Sequence, residues 1–303
     1  MGYGYSIPNG SRQVWEKQIL KTQKALQDNL IARTVLEMRE LPSTVDIDTV
    51  TFVEGSGGTG TSNIQAKIVA KGAVPDVTDV KISETDFKQY QIAIGFYMHE
   101  RELDQDPLLK NRKIDWATRS IHRLEDYIFF NGDTSIGISG LQTQARANPN
   151  GKIVASGASG NDANNVGAWN GSDTDIDIQR DVLNAISRLG DDYDPAFLVG
   201  RRSDLMYIRQ LDDMRKSYAD EILDLFGASS INNVLKYSAF CPSGYVYVVA
   251  KNSMAAEFTY SQDVRIVDEM IREKGGNYWV ELNEWVNPFQ CYDTAAFVEI
   301  AIT

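Results

Sequence analysis

Three glycines in a short polar stretch are the sharpest candidate for chemistry in this sequence. Gly55, Gly57 and Gly60 have the Gly-x-Gly-x-x-Gly spacing of a dinucleotide-binding turn, and they follow a segment with strand alternation. The next residues keep the strand period, so the helix start that would hold a pyrophosphate is missing. Thr61 stands where a phosphate-binding loop needs lysine. We interpret the stretch as the base of a flexible loop, with a nucleotide-using enzyme as an alternative.

A run of alternating aspartates is a second candidate, for calcium. Asp173, Asp175 and Asp177 have the spacing of a calcium loop. Ile178 replaces the glycine that the loop needs for its turn, and Asn184 stands where the closing glutamate belongs. Acidic residues also collect ahead of helices because they favour the positive helix end. We interpret these aspartates in that way and predict no metal site.

Histidines and paired carboxylates offer little for catalysis. His99 and His122 are the only histidines, and neither has the sequence spacing of a metal site. Glu125 and Asp126 are adjacent in a helical segment, so they point about 100° apart and do not share one acid–base task. A salt-bridged helix face is the simpler interpretation. The sequence therefore predicts a protein that is not an enzyme and needs no cofactor, although a carboxylate-only site stays open.

Composition describes an ordinary folded protein with an acidic surface. The chain has 303 residues, 43% of them hydrophobic, and a net charge of −12. This charge argues against nucleic-acid binding over the whole surface, and the absence of a long apolar run argues against a membrane helix. Cys241 and Cys291 are far apart in sequence, and we predict two reduced thiols rather than a disulfide.

The N-terminal region has helical spacing from Ser11 to about Leu41. Apolar residues recur there at steps of four and seven, at Trp15, Ile19, Leu26 and Leu30. The segment is slightly basic, and three lysines lie close together at Lys17, Lys21 and Lys24. Two interpretations stay open: an amphipathic helix packed on its own domain, or an arm that packs on a neighbour or faces an interior.

The next region has the period of two that is typical of strands. Residues 46–54, 64–68 and 90–96 alternate between apolar and polar, and a turn-rich stretch lies near residues 72–79. We predict a long two-armed excursion. Because an isolated hairpin is marginally stable in water, we expect it to rest on another subunit.

The clearest helix runs from about Leu108 to Asn131 and is stopped by Gly132. Its apolar residues form an uninterrupted stripe, which predicts a packing spine. Residues 141–171 predict an irregular surface stretch or ragged strands, and residues 178–189 predict a second amphipathic helix.

Later elements predict a compact α/β unit followed by strands. Residues 197–199 predict a short buried strand, and Ser203 is the predicted cap of a third helix. The predicted closing strands are 245–250, 263–268, 277–286 and 294–302.

The order of these elements resembles the Hong Kong 97-type major capsid fold of tailed viruses, which encapsulin shell proteins share. The likeness lies in Glu102-Leu103 with Asp106-Pro107 ahead of the spine helix, and in Leu124-Glu125-Asp126 through Asn131-Gly132 at its end. It continues in Gly137-Ile138-x-Gly140-Leu141, Leu225-Phe226-Gly227, Trp285-Val286 and Ala296-Phe297-Val298. The resemblance spans nearly the whole chain, and the order of elements carries it more than any one motif.

The resemblance implies an α+β fold with five parts: an N-terminal arm with an amphipathic helix, an extended β-hairpin loop, a peripheral domain with the spine helix, an axial α/β domain, and closing strands that return to the peripheral domain. The corresponding ranges are 1–49, 50–98, 99–141, 142–262 and 263–303. Expected interface residues are those of the arm stripe, Trp15, Ile19, Leu26 and Leu30, and the loop lysines Lys67, Lys71, Lys81 and Lys88. Some relatives crosslink a loop lysine to an asparagine of a neighbour, but none of these lysines can be matched to that pattern, so we make no prediction about a crosslink.

The resemblance implies a major capsid protein that self-assembles through pentamers and hexamers into an icosahedral shell around double-stranded DNA. Scaffold, portal and decoration proteins are further expected partners, no membrane is expected, and the expected location is a virion assembled in the host cytoplasm. Alternatives are an encapsulin compartment enclosing a cargo enzyme, the nucleotide-using enzyme above, and a free-standing β-rich binding module.

The basic arm gives the first testable prediction. If Lys17, Lys21 and Lys24 face the interior of a shell, changing all three to glutamate is expected to reduce packaged DNA because phosphates are then repelled. Shell formation is expected to persist. The ratio of DNA to protein in purified particles measures the effect, and an unchanged ratio would count against an inward-facing arm.

Overall fold

The computed structural model describes residues 31–43, 46–54, 81–99, 102, 108–149, 151–154, 169, 178–209, 218–272 and 277–302. Among these residues, no helix combines the length and apolar character that a membrane-spanning segment needs.

A four-stranded sheet forms one half of the described fold, in the order β1-β11-β12-β4. Its strands are β1 Glu37–Glu40, β4 Tyr90–His99, β11 Ala256–Arg272 and β12 Asn277–Cys291. The first strand runs parallel to β11, and the other neighbours are antiparallel. The two long strands, which come from the C-terminal part of the chain, therefore pair with β1 and β4 from its N-terminal part.

The spine helix α2, Leu109–Asn131, packs on this sheet as predicted. Its inward residues Ala117, Ile121, Ile128 and Phe129 are buried in the same core as residues of β4, β11 and β12. A short helix, α1 Ala32–Val35, lies against it and leads into β1. The predicted amphipathic stripe thus becomes the buried side of a helix that joins sheet and N-terminal segment.

A five-stranded sheet, ordered β7-β13-β10-β8-β9, forms the other half. It contains β7 Lys152–Val154, β8 Phe197–Gly200, β9 Leu235–Tyr237, β10 Tyr245–Val249 and β13 Phe297–Ala301. Both faces of this sheet are covered, which explains why β8 and β10 are apolar throughout instead of alternating. The central strand β13 differs by one buried acid, Glu299, which pairs with Arg146.

Alternate residues of these central strands enter two different cores. Tyr247 and Val249 join the core around α2, whereas Val246 and Val248 join a second core. The second core is built on helices α4 Ile178–Ile186 and α6 Tyr218–Phe226. The sheet therefore joins the two cores into one continuous interior.

Three short helices and two 3-10 turns complete this half: α3 Leu141–Ala147, α5 Arg202–Leu205 and α7 Ile231–Val234, with 3-10 turns at Met206–Arg209 and Thr294–Ala296. The latter turn is capped by Asp293, whose carboxylate accepts from the N–H of Ala295 at 2.8 Å.

Strands β2 Ile47–Glu54 and β3 Lys81–Lys88 form a separate antiparallel hairpin. The prediction of a strand at 46–54 is confirmed, whereas β3 was not predicted. The predicted strand 90–96 belongs to β4, which pairs with β12 in the four-stranded sheet. The segments around residues 64–68 and 72–79 lie outside the described residues.

The prediction that helical structure continues to Leu41 is wrong for Glu37–Glu40. After Val35 the backbone becomes extended, with a ψ of 158° at Leu36. The following residues pair in parallel with β11, from Glu37 opposite Glu257 to Glu40 opposite Tyr260. Pairing with an available sheet edge outweighs the helical preference of Glu, Met and Arg.

Two further predictions need correction. Residues 141–147 form a helix rather than an irregular stretch, because Leu141 and Ala145, one turn apart, are both buried. Ser203 does not cap its helix: Arg201 occupies the N-cap position, and the Ser203 hydroxyl donates to Asp204 Oδ1 at 2.9 Å.

Strand lengths also differ from those predicted. The strands expected at 263–268 and 277–286 extend to 256–272 and 277–291 because they pair with each other. The closing strand covers only Phe297–Ala301 and is buried throughout. By contrast, the helix at 178–186 and the strands at 197–200 and 245–249 are confirmed.

Gly132 ends the spine helix in a conformation that only glycine adopts readily. It has a φ of +71°, and a Cβ there would lie 2.5 Å from the backbone N of Gly140 and the carbonyl oxygen of Ile138. Gly137 has a similar φ of +79°, but a Cβ there would meet nothing within 4 Å. Both glycines would strain the backbone if they carried a side chain, but only at Gly132 would the side chain also clash with neighbouring atoms. Comparing the two positions therefore separates the two effects.

Gly132→Ala is therefore expected to lower the free energy of unfolding by about 3 kcal/mol or more, because the clash adds to the backbone strain. Gly137→Ala, the matched control, is expected to lower it by only about 1 kcal/mol. Urea denaturation followed by tryptophan fluorescence measures both. Equal losses would show that close packing around Gly132 contributes nothing.

Candidate functional site

Asp126 of the spine helix fastens the N-terminal segment to the core. Its Oδ1 accepts hydrogen bonds from the backbone N–H of Ile31 at 3.0 Å and of Ala32 at 2.7 Å. Asp126 is only 1% exposed, and burial raises its pKa to about 6 despite these donors. The carboxylate thus satisfies N–H groups that the start of α1 cannot pair internally.

Arg33 makes the second attachment, one residue further along. Its Nε donates to Glu125 Oε2 at 3.0 Å and its Nη2 to Glu125 Oε1 at 2.5 Å. The same Nη2 donates to Glu284 Oε2 at 3.0 Å, and Nη1 donates to Asp263 Oδ1 at 3.0 Å. One guanidinium therefore ties α1 to the spine helix, to β11 and to β12. We call Arg33, Glu125, Asp126 and Glu284 the anchor cluster.

The two buried carboxyl groups of the anchor cluster cannot both carry a charge at low cost. Glu125 is 1% exposed and Glu284 is 0% exposed, and they share one guanidinium. Burial and the nearby Glu125 carboxylate raise the pKa of Glu284 far above its ordinary value. With a proton on Glu284, the pair carries one negative charge that balances Arg33.

The anchor cluster also brings a histidine near two carboxylates. Side-chain ligand atoms of His122, Asp263 and Glu284 lie within 4.8 Å of one another. Sequence spacing gave no sign of this group, since its members come from three different elements. Arg33 donates to both carboxylates, so the guanidinium already supplies the cation. Burial lowers the pKa of His122, which favours neutral imidazole.

A second network holds the root of the β2–β3 hairpin. Arg39 of β1 pairs with Asp48 and with Glu257, both at 2.5 Å. The Tyr292 hydroxyl donates to Glu257 at 2.7 Å, and Gln290 Nε2 donates to Asp48 at 2.7 Å. A cavity of about 430 Å³ lies beside this network. The root is thus bonded to three strands of the four-stranded sheet.

Beyond its root, the hairpin has little core of its own. Among the side chains described in β2 and β3, Asp48 is the only buried one, and Ile47 is 50% exposed. A hydrogen bond from Thr49 to Asp86 links the strands on the exposed side. The face that carries Ile47 and Thr49 is exposed along its described length, whereas the face that carries Asp48 is partly covered. A two-stranded hairpin of this kind is marginal unless another surface covers its exposed face.

The two cysteines are free, as predicted, and neither is set up as a nucleophile. Burial raises the pKa of Cys291 to about 12 and raises that of Cys241 as well. A thiol with a raised pKa is a poor nucleophile at neutral pH. These residues act as packing groups in the described structure.

The predicted interface residues are mostly beyond what the structure describes. Trp15, Lys17, Ile19, Lys21, Lys24, Leu26, Leu30, Lys67 and Lys71 lie outside the described residues, as do Gly55–Gly60 and Asp173–Asp177. Lys81 and Lys88 begin and end β3, opposite Glu54 and Ile47. Lys88 is exposed, and its carbonyl accepts from Asn287 Nδ2 at 3.1 Å.

Sequence reasoning singled out Glu125 and Asp126 but missed their partners. Arg33 gave no distinguishing signal among the basic residues of its segment. Glu284 did give one: it shares the period-two register of Leu282 and Val286, and all three are buried. A carboxylate in phase with buried apolar residues indicates a buried charge that needs a partner.

Known proteins resemble this chain in structure and not in sequence. No protein-family model and no curated protein matches the sequence. The capsid of Myoviridae phage XM1 matches with a TM-score of 0.64 at 13% identity, over 90% of this chain and 91% of that chain. A structure of Microbacterium phage Oxtober96 matches with a TM-score of 0.64 at 13% identity, over 89% and 90%.

An encapsulin complex from Synechococcus elongatus PCC 7942 matches with a TM-score of 0.55 at 11% identity, over 89% of each chain. These likenesses confirm the fold that the order of elements predicted. The chain has the mixed α+β, Hong Kong 97-type fold found in capsids and encapsulins.

The shared proton in the anchor cluster gives a prediction that separates its two glutamates. Glu284→Gln imitates the protonated acid. Its free energy of unfolding near about pH 4, where this acid is largely protonated in the folded and unfolded states alike, is expected to stay within about 1 kcal/mol of the unmodified protein. At pH 7 the variant is expected to be the more stable of the two, because the unmodified protein must take up a proton to fold. Glu125→Gln removes the carboxylate that accepts two hydrogen bonds from Arg33. It is expected to lower the free energy of unfolding by about 3 kcal/mol. Chemical denaturation measures both.

The pH dependence follows from the raised pKa of Glu284. The folded state keeps a proton that the unfolded state releases above about pH 4.3, so this group's contribution declines as pH rises through the folded pKa. In Glu284→Gln that decline is expected to disappear. Parallel stability–pH curves for the two proteins would show that Glu284 is ionised in the folded state.

Proposed function

We propose that this chain is the structural subunit of an icosahedral shell that encloses double-stranded DNA, as a major capsid protein does. The observation that carries the proposal is the β2–β3 hairpin, which is bonded to the sheet at its root and has one described face that is exposed along its length. The fold likeness to phage capsids supports the same conclusion.

The physical logic is that a closed shell needs every subunit to bury surface on several neighbours. Obligate interfaces of this kind commonly exceed about 2,000 Å² in total. A hairpin with little core of its own can supply such interface area, because covering it with a neighbour does not disturb the core of the subunit. The N-terminal residues that precede the anchor cluster are the second candidate for interwoven contact.

By the same resemblance, residues 1–49 form an arm and 50–98 an extended loop. The peripheral domain would comprise 99–141 and 263–303, and 142–262 would gather around the pentamer and hexamer axes. Partners would be further copies of this chain, packaged DNA bound without sequence preference, and scaffold, portal and decoration proteins. The location would be a virion assembled in the host cytoplasm.

A compartment that encloses a cargo enzyme is the second candidate function. The observation in its favour is the match to an encapsulin complex over the same share of the chain as the phage matches. The contents of purified particles, DNA or protein, distinguish the two candidates.

Assembly is the direct test. Negative-stain electron microscopy and size-exclusion chromatography of the full chain are expected to show closed shells, or rings of five or six subunits. Ile47→Asp is expected to prevent assembly because it places a charge on the exposed hairpin. The stability of the unassembled variant is expected to change by no more than about 0.5 kcal/mol.

The contrary outcome is equally clear. A 33.8 kDa monomer that stays monomeric with a co-expressed scaffold would contradict the proposal. If Ile47→Asp forms shells in unchanged yield, the exposed face of the hairpin is not a subunit contact, and the hairpin no longer supports the proposal.

A further inference from the structure

The outward face of the spine helix combines arginines with exposed aromatic rings. Arg112, Arg119, Arg123, Trp116 and Tyr127 fall within an arc of about 80° on this helix, at 100° per residue. Trp116 is 56% exposed and Tyr127 is 47% exposed, an unusual degree for such large rings. We call these five residues the arginine face.

Two of its arginines are not neutralised within the described part of the chain. Neither Arg119 nor Arg123 has a described carboxylate within ion-pair distance. Glu125 is turned about 160° from Arg123 on the same projection, whereas Asp126 lies about 20° from Arg119. Both carboxylates are buried and are bonded to the N-terminal segment. Asp115 is exposed at the margin of the face. The face therefore keeps a net positive charge.

Neighbouring residues hold one of these arginines in place. The Arg123 guanidinium lies 5.7 Å from the centre of the Phe240 ring, in a cation–π contact. Tyr127 packs edge-on against the same ring at 6.2 Å, and Asn131 donates to the Phe240 carbonyl at 3.2 Å. An arginine positioned in this way loses less conformational entropy when it binds an anion.

The spacing of the arginines suits a repeating anion. With a rise of about 1.5 Å per residue, Arg119 and Arg123 lie about 6 Å apart along the helix axis, and Arg112 about 10.5 Å beyond Arg119. A duplex presents phosphates densely along both strands, so such a row can meet several of them without reading bases.

The rest of the chain makes this face distinctive. The net charge is −12, so most of the surface repels DNA, and only a local basic face can attract it. The N-terminal segment is also slightly basic and enters the fold at Asp126 of this same helix.

We propose that the arginine face contacts the phosphate backbone of the enclosed duplex DNA, and that this face of the spine helix looks into the shell. The proposal rests on the proposed function and adds the surface that meets the contents. The contact is electrostatic and independent of sequence.

The test uses full-length protein and a fluorescent 30-base-pair duplex of random sequence. Binding is measured by anisotropy between about 50 and 200 mM salt on the unassembled fraction from chromatography, in which every face is accessible. Closed particles are analysed for nuclease-protected nucleic acid. The test variant is Arg119→Gln/Arg123→Gln, and Arg119→Lys/Arg123→Lys keeps both charges.

The matched control is Arg180→Gln/Arg202→Gln, which removes the same charge from exposed positions on α4 and α5. The glutamine pair is expected to reduce the slope of log affinity against log salt by about 1.8, for two lost phosphate contacts. Protected nucleic acid is expected to fall with it. The lysine pair and the control are expected to keep the slope.

Three results would overturn the proposal. One is an unmodified protein that binds no duplex and protects no nucleic acid. Another is an equal loss in the test and control pairs, which would reflect net charge alone. A third is lost assembly with unchanged DNA binding, which would make the face a contact between copies or with a protein partner. Failure of the proposed function is seen separately, as the absence of particles in electron micrographs.

Discussion

The fold depends on a buried set of charges where the N-terminal segment meets the spine helix. Asp126 binds the backbone of Ile31 and Ala32, and Glu125 binds the side chain of Arg33. These contacts set the direction in which α1 leaves the helix and therefore where β1 reaches the edge of β11. Removing either partner would leave an uncompensated charge inside the protein, so the arrangement gives specificity more surely than it gives stability.

The four-stranded sheet connects the anchor cluster to the root of the hairpin. The strand β1 carries Arg39, which pairs with Asp48 at the hairpin root and with Glu257 of β11. The direction of the hairpin is thus fixed by a strand that is itself fixed by the anchor cluster. Two arginines six residues apart, Arg33 and Arg39, therefore hold α1 and the hairpin root against the same sheet.

The sequence predicted the parts of the fold whose signal is local. The spine helix, its stop at Gly132 and the strands at 197–200 and 245–249 follow from apolar period and turn residues. The sequence-based prediction failed where strand pairing between distant segments decides the local structure. Residues Glu37–Glu40 form a strand because β11 offers an edge to pair with. The strands β11 and β12 are longer than predicted because they pair with each other. For the site, adjacency revealed Glu125 and Asp126. Their partner Arg33 lies 92 residues from Glu125, and Glu284 lies 251 residues from Arg33, so no local pattern could join them.

The spine helix carries both the buried acids of the anchor cluster and the arginines of the proposed DNA contact. Its acids Glu125 and Asp126 are bonded to Arg33 and to backbone N–H groups, and no described acid lies within ion-pair distance of Arg119 or Arg123. The acids of the helix therefore do not neutralise these two arginines. A chain with a net charge of −12 repels its own copies and also repels DNA. The proposed contact with DNA therefore depends on the local charge of Arg119 and Arg123 beside exposed aromatic rings, and not on the charge of the whole chain.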